Sequence, residues 1–223
     1  MLQKTTLLFL KELKKNNNKE WFDTNRKKYE AAKIDFAALT NAVIKELGKK
    51  DPFIASLQAK DCTFRINRDV RFSKNKDPYK TNMGMYLSRG GKKSLFSGYY
   101  FHLEPGGNSF MGGGLYMPEP DVIKKVRQEI DYNWDEFNKI ISQKKIKATY
   151  GDLQREEGMV LSREPKGYEK DNPAIEYIKL KSWVATTPIA DQLLTSENLV
   201  KEITVAFTTL QPMIEFLNKA VEE

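Results

Sequence analysis

The stretch that decides the fold is NMGMYLSRGGKKSLFSGYYFHLEPGGNSFMGGGLYM, residues 82–117. It contains three runs typical of strands, at 82–88, 97–104 and 109–117, and they are separated by a glycine pair and a Pro-Gly-Gly sequence. Short strands joined by glycine-rich turns predict an antiparallel meander.

A further strand is predicted just before this stretch, over residues 62–72. There the apolar residues alternate with polar ones, a period of two that is typical of a strand with one polar face. The apolar members of the row are Cys62, Phe64, Ile66, Val70 and Phe72.

Amphipathic helices are predicted on both sides of the strands. Before them, leucines at a spacing of three indicate a short helix near residues 5–15, and apolar residues at steps of three and four indicate a long helix over 19–47, ended by Gly48. After them, helices are expected from Pro120, around Trp134 and from Ser196. The sequence therefore predicts an α+β fold, an antiparallel β-sheet meander with long helices packed on it, as a single domain spanning 1–223.

Composition excludes several classes of protein. With 40% hydrophobic residues the chain can form a sizeable core, and Cys62, the only cysteine, cannot form an intramolecular disulfide. No apolar run is long enough to cross a membrane, and no cofactor motif or spaced His/Asp/Glu ligand set for a metal is visible. We expect a cytoplasmic protein that does not associate with membranes and has no metal or cofactor.

The positive charge of the chain is concentrated in one segment. Residues 64–93 contain nine Lys/Arg and two Asp/Glu, a surplus that equals the net charge of +7 for the whole chain. Such a basic patch predicts an anionic partner.

Guanidinium groups bind phosphate or carboxylate oxygens through two parallel hydrogen bonds, so the arginines of this segment are the natural ligands for an anion. Arg127 and Lys166 would complete a basic pocket if they faced the cluster, and Tyr99 could flank the ligand. The candidate ligand-binding residues are Arg65, Arg68, Arg71, Lys76, Tyr79, Lys80, Arg127 and Lys166. In the structural alternative, Asp69 pairs with the flanking arginines and the other charges are solvated.

Two further features suggest chemistry. His102, the only histidine, shares one face of a predicted strand with Glu104 and could act as a general base. A lone histidine on a strand is more often a structural hydrogen-bonding group. The glycine run 112–114 lacks a phosphate-loop signature, which favours close approach of another segment over ligand binding.

The run RINRDVRFSKNKDPYKTN at 65–82 resembles the signature of the family known as domain of unknown function 2461. Segments in the same order elsewhere agree with that family, including Glu20-Trp21-Phe22, Gly98-Tyr99 and Pro165-Lys166-Gly167-Tyr168. Similar sequences often have a histidine where Asn172 stands before Pro173. The resemblance implies one full-length domain and carries over no activity, substrate or catalytic residue.

Four functions remain open at this point. The first is binding of a phosphate-bearing or other anionic small molecule in a pocket lined by Arg and Lys, and the second is nucleic-acid binding along the same basic segment. The third is a hydrolase that uses Asp69, His102 and Glu104. The fourth is a structural or interaction protein with no ligand.

Overall fold

A computed structural model describes residues 1–222 of the 223-residue chain. Its only sheet in that range has four strands in the order β1-β2-β3-β4, and every neighbouring pair is antiparallel. The strands are β1 (Met83–Ser88), β2 (Gly98–Leu103), β3 (Phe110–Leu115) and β4 (Trp183–Pro188). The α+β class and the meander through β3 are as predicted.

Helices precede the sheet, fill the long connection between β3 and β4, and end the chain. They are α1 (Lys4–Lys15), α2 (Lys19–Thr24), α3 (Arg26–Leu47), α4 (Pro52–Ala55), α5 (Ala59–Cys62), α6 (Pro120–Tyr132), α7 (Trp134–Ile141), α8 (Lys144–Tyr150), α9 (Ile175–Ile178), α10 (Asp191–Leu194) and α11 (Leu199–Glu222). None of the helices in residues 1–222 combines the length and apolar character that crossing a bilayer requires.

The core lies between one face of the sheet and the helices α3 and α11. Phe36 of α3 stacks on Phe101, with ring centroids 6.3 Å apart, and Phe207 of α11 stacks on Tyr99 at 5.3 Å. Helix α11 also approaches β3 so closely that a Cβ on Gly113 would lie 3.3 Å from a side-chain carbon of α11. This explains the middle residue of the glycine run 112–114.

The strand predicted over residues 62–72 is wrong. Cys62 ends helix α5, and the following residues form only single bridges, Thr63 with Met85 and Asn67 with Tyr79. Pairing stops at Pro78, which accepts from the Arg68 amide at 2.9 Å but has no N–H to continue the ladder. The apolar residues of this row are also not all buried as a strand face would be, since Phe72 is 95% exposed.

The single helix predicted over 19–47 is interrupted at Asn25. Its side-chain amide donates to the Trp21 carbonyl oxygen at 2.9 Å, a local bond that competes with continuous helix and separates α2 from α3. Gly48 ends α3 as predicted, with a right-handed φ of −63°. A Cβ on Gly48 would lie 2.7 Å from the Ala55 Cα, so close packing of α4 requires the glycine.

Strand β4 was not predicted from the sequence. It pairs with β3 from Leu115↔Trp183 to Phe110↔Pro188 and forms an edge of the sheet. Pro188 ends the strand at that edge, where a residue without an N–H is tolerated. A short run of six residues after a long helical connection gives little periodic signal, and only its pairing with β3 identifies it as a strand.

Candidate functional site

Residues 63–82, which we call the basic arm, form a loose hairpin beside β1. The Lys80 amide donates to the Ile66 carbonyl oxygen at 2.8 Å, and the Phe64 amide donates to the Gly84 carbonyl oxygen of β1 at 3.2 Å. The arm is therefore attached to the edge of the sheet at its base, while its tip extends into solvent.

Tyr79 holds the returning half of the basic arm against the helices. Its ring is 6% exposed and stacks on Phe22 with centroids 3.9 Å apart and an interplanar angle of 14°. The Asn17 side chain donates to the Tyr79 carbonyl oxygen at 2.9 Å and accepts from the Tyr79 amide at 3.1 Å. In this structure Tyr79 is an anchor of the arm, and its ring does not line an open site.

Several cations of the basic arm bind the arm itself. Arg71 donates to both carboxylate oxygens of Asp69, at 3.0 and 2.6 Å, and these bonds lower the pKa of Asp69. Arg68 donates to the Asp77 carbonyl oxygen at 3.0 Å, and Lys76 donates to the Val70 carbonyl oxygen at 3.1 Å. This pairing of Asp69 with a flanking arginine is the one expected if the basic segment has a structural role and binds no ligand.

Arg65 and Lys80 behave differently, because neither forms an ion pair within residues 1–222. Lys80 is half-buried, and its pKa is lowered first by that burial and second by the nearby charge of Arg65. Its ammonium nitrogen lies 5.5 Å from the centroid of the Phe64 ring. The two cations therefore lie near each other without an ion pair, although the charge of Arg65 also contributes to lowering the pKa of Asp69.

Arg127 and Lys166 are placed away from this pair. Arg127 of α6 donates to the carbonyl oxygens of Ile178 and Leu180, at 2.7 and 3.1 Å, and so ties α6 to the end of α9. Lys166 is exposed in a turn. Within the described part of the chain, no hydrogen bond, ion pair or cation–π contact joins either residue to the basic arm.

The sheet face opposite the core, which we call the open face, has partly exposed aromatic side chains alternating with glycines. Its residues are Gly84, Tyr86, Tyr100, His102, Phe110, Gly112, Gly114 and Thr186. Across residues 1–222 the ring contacts and hydrogen bonds of these side chains run to one another and to loops. Phe64 extends this face toward the basic arm, with its ring centroid 6.4 Å from that of Tyr100.

Tyrosine side chains lie over the glycines of the open face. A Cβ on Gly84 would lie 2.8 Å from the Tyr100 hydroxyl, which shows that the tyrosine lies across this position of β1. The Tyr86 hydroxyl similarly donates toward the Phe96 and Gly114 carbonyl oxygens, at 3.0 and 3.4 Å. The alternation of aromatic residues and glycines was the sequence signal for this face. The candidate binding residues did not include it because they were chosen for their positive charge.

A chain of hydrogen bonds follows β2 along the open face. The Tyr100 hydroxyl lies 3.1 Å from His102 Nδ1, His102 Nε2 lies 3.3 Å from Glu104, and Lys14 of α1 donates to Glu104 at 2.8 Å. Burial acts to raise the pKa of Glu104, but the bonds from Lys14 and His102 outweigh it and the net shift is downward. The ionised carboxylate accepts a hydrogen bond from the Nε2–H group, which leaves Nδ1 to accept one from the Tyr100 hydroxyl.

The structure thus brings His102 and Glu104 together with Tyr100, which the sequence placed on the same strand face but to which it assigned no chemical role. Asp69 is bound to Arg71 on the basic arm and has no bond to this chain. Burial and nearby Tyr116 raise the pKa of Tyr100, so its hydroxyl stays protonated near neutral pH. The arrangement can accept one proton at His102 through the Tyr100 hydroxyl.

A cavity of about 290 Å³ lies on the other side of β1 and β2 and is lined in part by Tyr99. The Tyr99 hydroxyl donates to Asp51 at 2.9 Å, and Arg89 at the rim lies between the rings of Phe53 and Phe96 and pairs with Glu222. Tyr99 therefore belongs to the core side of the sheet and does not flank the basic arm. Asp51, Arg89 and Glu222 of this cavity thus have protein partners.

The comparisons with known proteins identify a family and nothing more specific. The family model described as conserved hypothetical protein (DUF2461) matches residues 5–216, nearly the whole chain, and the chain belongs to that family. No curated protein and no solved structure matches the chain.

Proposed function

We propose that this member of the conserved hypothetical protein family (DUF2461) binds a phosphate-bearing or similar anionic ligand between Arg65 and Lys80. The observation that carries the proposal is that the two cations stand on facing halves of the arm, where the Lys80 amide donates to the carbonyl oxygen of Ile66, the neighbour of Arg65, at 2.8 Å, and that neither forms an ion pair within residues 1–222. A phosphate between them would relieve their repulsion and accept charge-assisted hydrogen bonds from both.

The rest of the basic arm supports this geometry without contacting the ligand. Arg68 and Lys76 close the tip of the arm through backbone carbonyl oxygens, and Asn17 fixes Tyr79, the residue next to Lys80. Because both halves of the arm are held, Arg65 and Lys80 are presented together instead of moving separately in water.

Thermal unfolding with pyrophosphate tests the proposal. At a concentration of one hundred times Kd, a ligand that binds only the folded state adds about 2.7 kcal/mol, or roughly 5–10 °C in Tm for a chain of this size. We expect that shift for the protein, and we expect Arg65→Gln and Lys80→Gln to remove most of it. The double variant Lys144→Gln/Lys145→Gln, two exposed lysines of α8, is the matched control and should keep the shift. An equal shift in all variants would contradict the site.

Hydrolysis of a bound ester is a second candidate function, favoured by the hydrogen-bonded chain of Tyr100, His102 and Glu104. An attacking water would give its proton to the Tyr100 oxygen as the tyrosine proton passes to His102 Nδ1, and Glu104 would stabilise the resulting imidazolium. Asp69 has no part in this scheme.

Turnover of chromogenic phosphate and carboxylate esters checks the second candidate. General-base catalysis contributes typically 10²–10⁴-fold, so His102→Gln should lower kcat by at least about a hundredfold. Tyr100→Phe should have a similar effect because it breaks the path of the proton, whereas Asp69→Asn should retain turnover. Hydrolysis that survives in His102→Gln would rule this chemistry out.

A further inference from the structure

The open face carries rings on neighbouring strands and on the arm beside them. Phe64 stands beside β1, Tyr86 and Tyr100 form a cross-strand pair of β1 and β2, and Phe110 of β3 lies flat on His102 with centroids 4.7 Å apart. Phe64 is 42% exposed. With strands spaced about 4.8 Å apart, the surface from Phe64 to β4 is roughly 19 Å wide.

The positive charge of the chain lies along two sides of this surface. The basic arm runs beside β1, and the loop Arg89–Lys93 follows β1 at the end where the chain turns into β2. Of the nine cations in residues 64–93, only Arg71 and Arg89 form ion pairs in the described structure. A ligand that crosses the open face would therefore meet cations without an ion pair beside the face. At its end Lys92 donates to the Lys60 carbonyl oxygen at 2.6 Å, and Lys93 is the exposed cation that such a ligand could reach.

From this arrangement, and on the premise that Arg65 and Lys80 bind phosphate as proposed above, we infer that the ligand is a single-stranded nucleic acid. Its phosphates contact the basic arm, and its bases lie on the rings of the open face. Bases of any sequence stack on aromatic side chains, and a positive margin beside such rings follows the backbone. A duplex hides its bases and would use the cations alone.

A ligand on the open face would contact its rings and not the backbone of the sheet. Gly84 and Gly112 are buried, and a Cβ on either would collide, with the Tyr100 hydroxyl at 2.8 Å and with the Ala185 carbonyl oxygen at 2.1 Å. The carboxylate at the end of this face, Glu104, is paired with Lys14 and bonded to His102. The surface is therefore complementary to a chain of phosphates carrying flat rings.

Fluorescence anisotropy with labelled oligonucleotides tests the inference. We expect a 12-nucleotide single strand to bind more tightly than a mononucleotide, and more tightly than a duplex of equal length. Each phosphate neutralised on a single strand contributes about 0.7 to the slope of log K against log salt concentration. Arg65→Gln/Lys80→Gln, which removes the phosphate contact that the two cations share, should therefore reduce that slope by about 0.7, and Lys144→Gln/Lys145→Gln should leave it unchanged.

Ring substitutions separate stacking from charge. Phe64→Leu/Phe110→Leu keeps apolar volume but removes two rings, so we expect about tenfold weaker binding of the 12-mer with the pyrophosphate shift retained. Tyr132→Leu, at an exposed tyrosine of α6, is the control and should bind normally. Circular dichroism confirms that each variant is folded before binding is measured.

The outcomes distinguish the two proposals. If pyrophosphate binds at Arg65 and Lys80 but the 12-mer binds no better than a mononucleotide, the nucleic-acid inference is overturned and the anion site stands. Equal affinity for duplex or heparin, or normal 12-mer binding by Phe64→Leu/Phe110→Leu, would likewise show that charge alone acts. If neither pyrophosphate nor the 12-mer binds, both proposals fail.

Discussion

At the scale of single residues, Asp51 is the carboxylate whose burial has the clearest consequence. It is 9% exposed and accepts from the Tyr99 hydroxyl at 2.9 Å and from the Phe53 amide at 3.1 Å. Burial raises its pKa by more than these two bonds lower it. The folded state therefore holds a proton at pH values where the unfolded chain has released it.

Asp51→Asn should change the pH dependence of stability. Since the pKa of Asp51 is higher in the folded state, this residue lowers the free energy of unfolding as pH rises from about 4 through the folded pKa. The asparagine amide can still accept from Phe53 and donate to the Tyr99 oxygen, so the variant should lose that decline. Urea unfolding between pH 4 and 8 measures it, and an unchanged pH profile would contradict the assignment.

Asp51→Ala is the companion variant and should be destabilising at every pH. It leaves the Tyr99 hydroxyl without its acceptor inside the protein, and a buried polar group without a partner costs about 1–3 kcal/mol. The same urea titrations give this value. Wild-type stability in Asp51→Ala would mean that water replaces the carboxylate at no cost.

At the scale of elements, the basic arm is held to the helices by Asn17. Its two hydrogen bonds to the Tyr79 backbone imitate a bridge between strands, although Asn17 lies in the turn between α1 and α2. The Tyr79 ring stacks on the Phe22 ring, and the Lys80 amide donates to the Ile66 carbonyl oxygen. The arm thus has a firm base and an exposed tip.

Asn17→Ala should loosen the arm before it unfolds the domain. We expect the amide protons of Tyr79 and Lys80 to exchange roughly ten times faster or more, since loss of one net hydrogen bond is worth about 1 kcal/mol and two are removed. Binding of pyrophosphate should weaken with it. Amide exchange by NMR measures the effect, and the amides of β2 serve as the internal control because their rates should not change.

The glycines of β3 determine how closely β4 can pair. Gly114 has φ +127°, and a Cβ there would lie 1.9 Å from the Trp183 carbonyl oxygen. Gly151 also has positive φ, at +72°, but nothing lies within 4 Å of an added Cβ. A comparison of alanine substitutions at the two positions therefore separates the cost of backbone strain from the cost of a collision with a neighbouring strand.

Gly114→Ala should therefore cost far more than Gly151→Ala. The strain of this positive-φ conformation alone is worth about 1–3 kcal/mol, which we expect for Gly151→Ala. Gly114→Ala adds a collision with backbone that cannot move away, so the loss should exceed about 4 kcal/mol or prevent folding. Thermal unfolding compares the two, and equal losses would contradict the observed pairing of β3 with β4.

At the scale of the whole molecule, the single-domain organisation remains a prediction that unfolding can test. Cys62 is fully buried, and burial raises the pKa of its thiol to about 11. The tryptophans report on separate regions, with Trp21 among the first helices and Trp183 in β4. The cysteine and the tryptophans therefore sample both ends of the chain.

For one cooperative domain, thiol labelling of Cys62, tryptophan fluorescence and far-UV circular dichroism should give the same urea midpoint. Labelling in native buffer should be slow, since it requires unfolding and a thiolate. Labelling at a clearly lower urea concentration than the fluorescence change would indicate that the N-terminal half unfolds separately.

The sequence by itself determined the features that depend on neighbours along the chain. The short runs in 82–117 and the glycine turns between them specify β1, β2 and β3, the steps of three and four specify the long helices, and residues 64–93 hold a charge surplus of +7. The likeness of the 65–82 run to its family was likewise legible from the residues alone. All of these follow from periods, caps and counts within short windows.

Tertiary structure alone decided which side chains meet. Asn17 clamps Tyr79 across 62 positions, β4 pairs with β3 across a long helical connection, and Arg127 is bound by carbonyl oxygens instead of joining the basic arm. Arg65 and Lys80 are left unpaired within the described chain because pairing stops at Pro78 and Asp69 binds Arg71. Local sequence sets the period of an element, but partner choice depends on packing energies between distant segments, which no window of sequence contains.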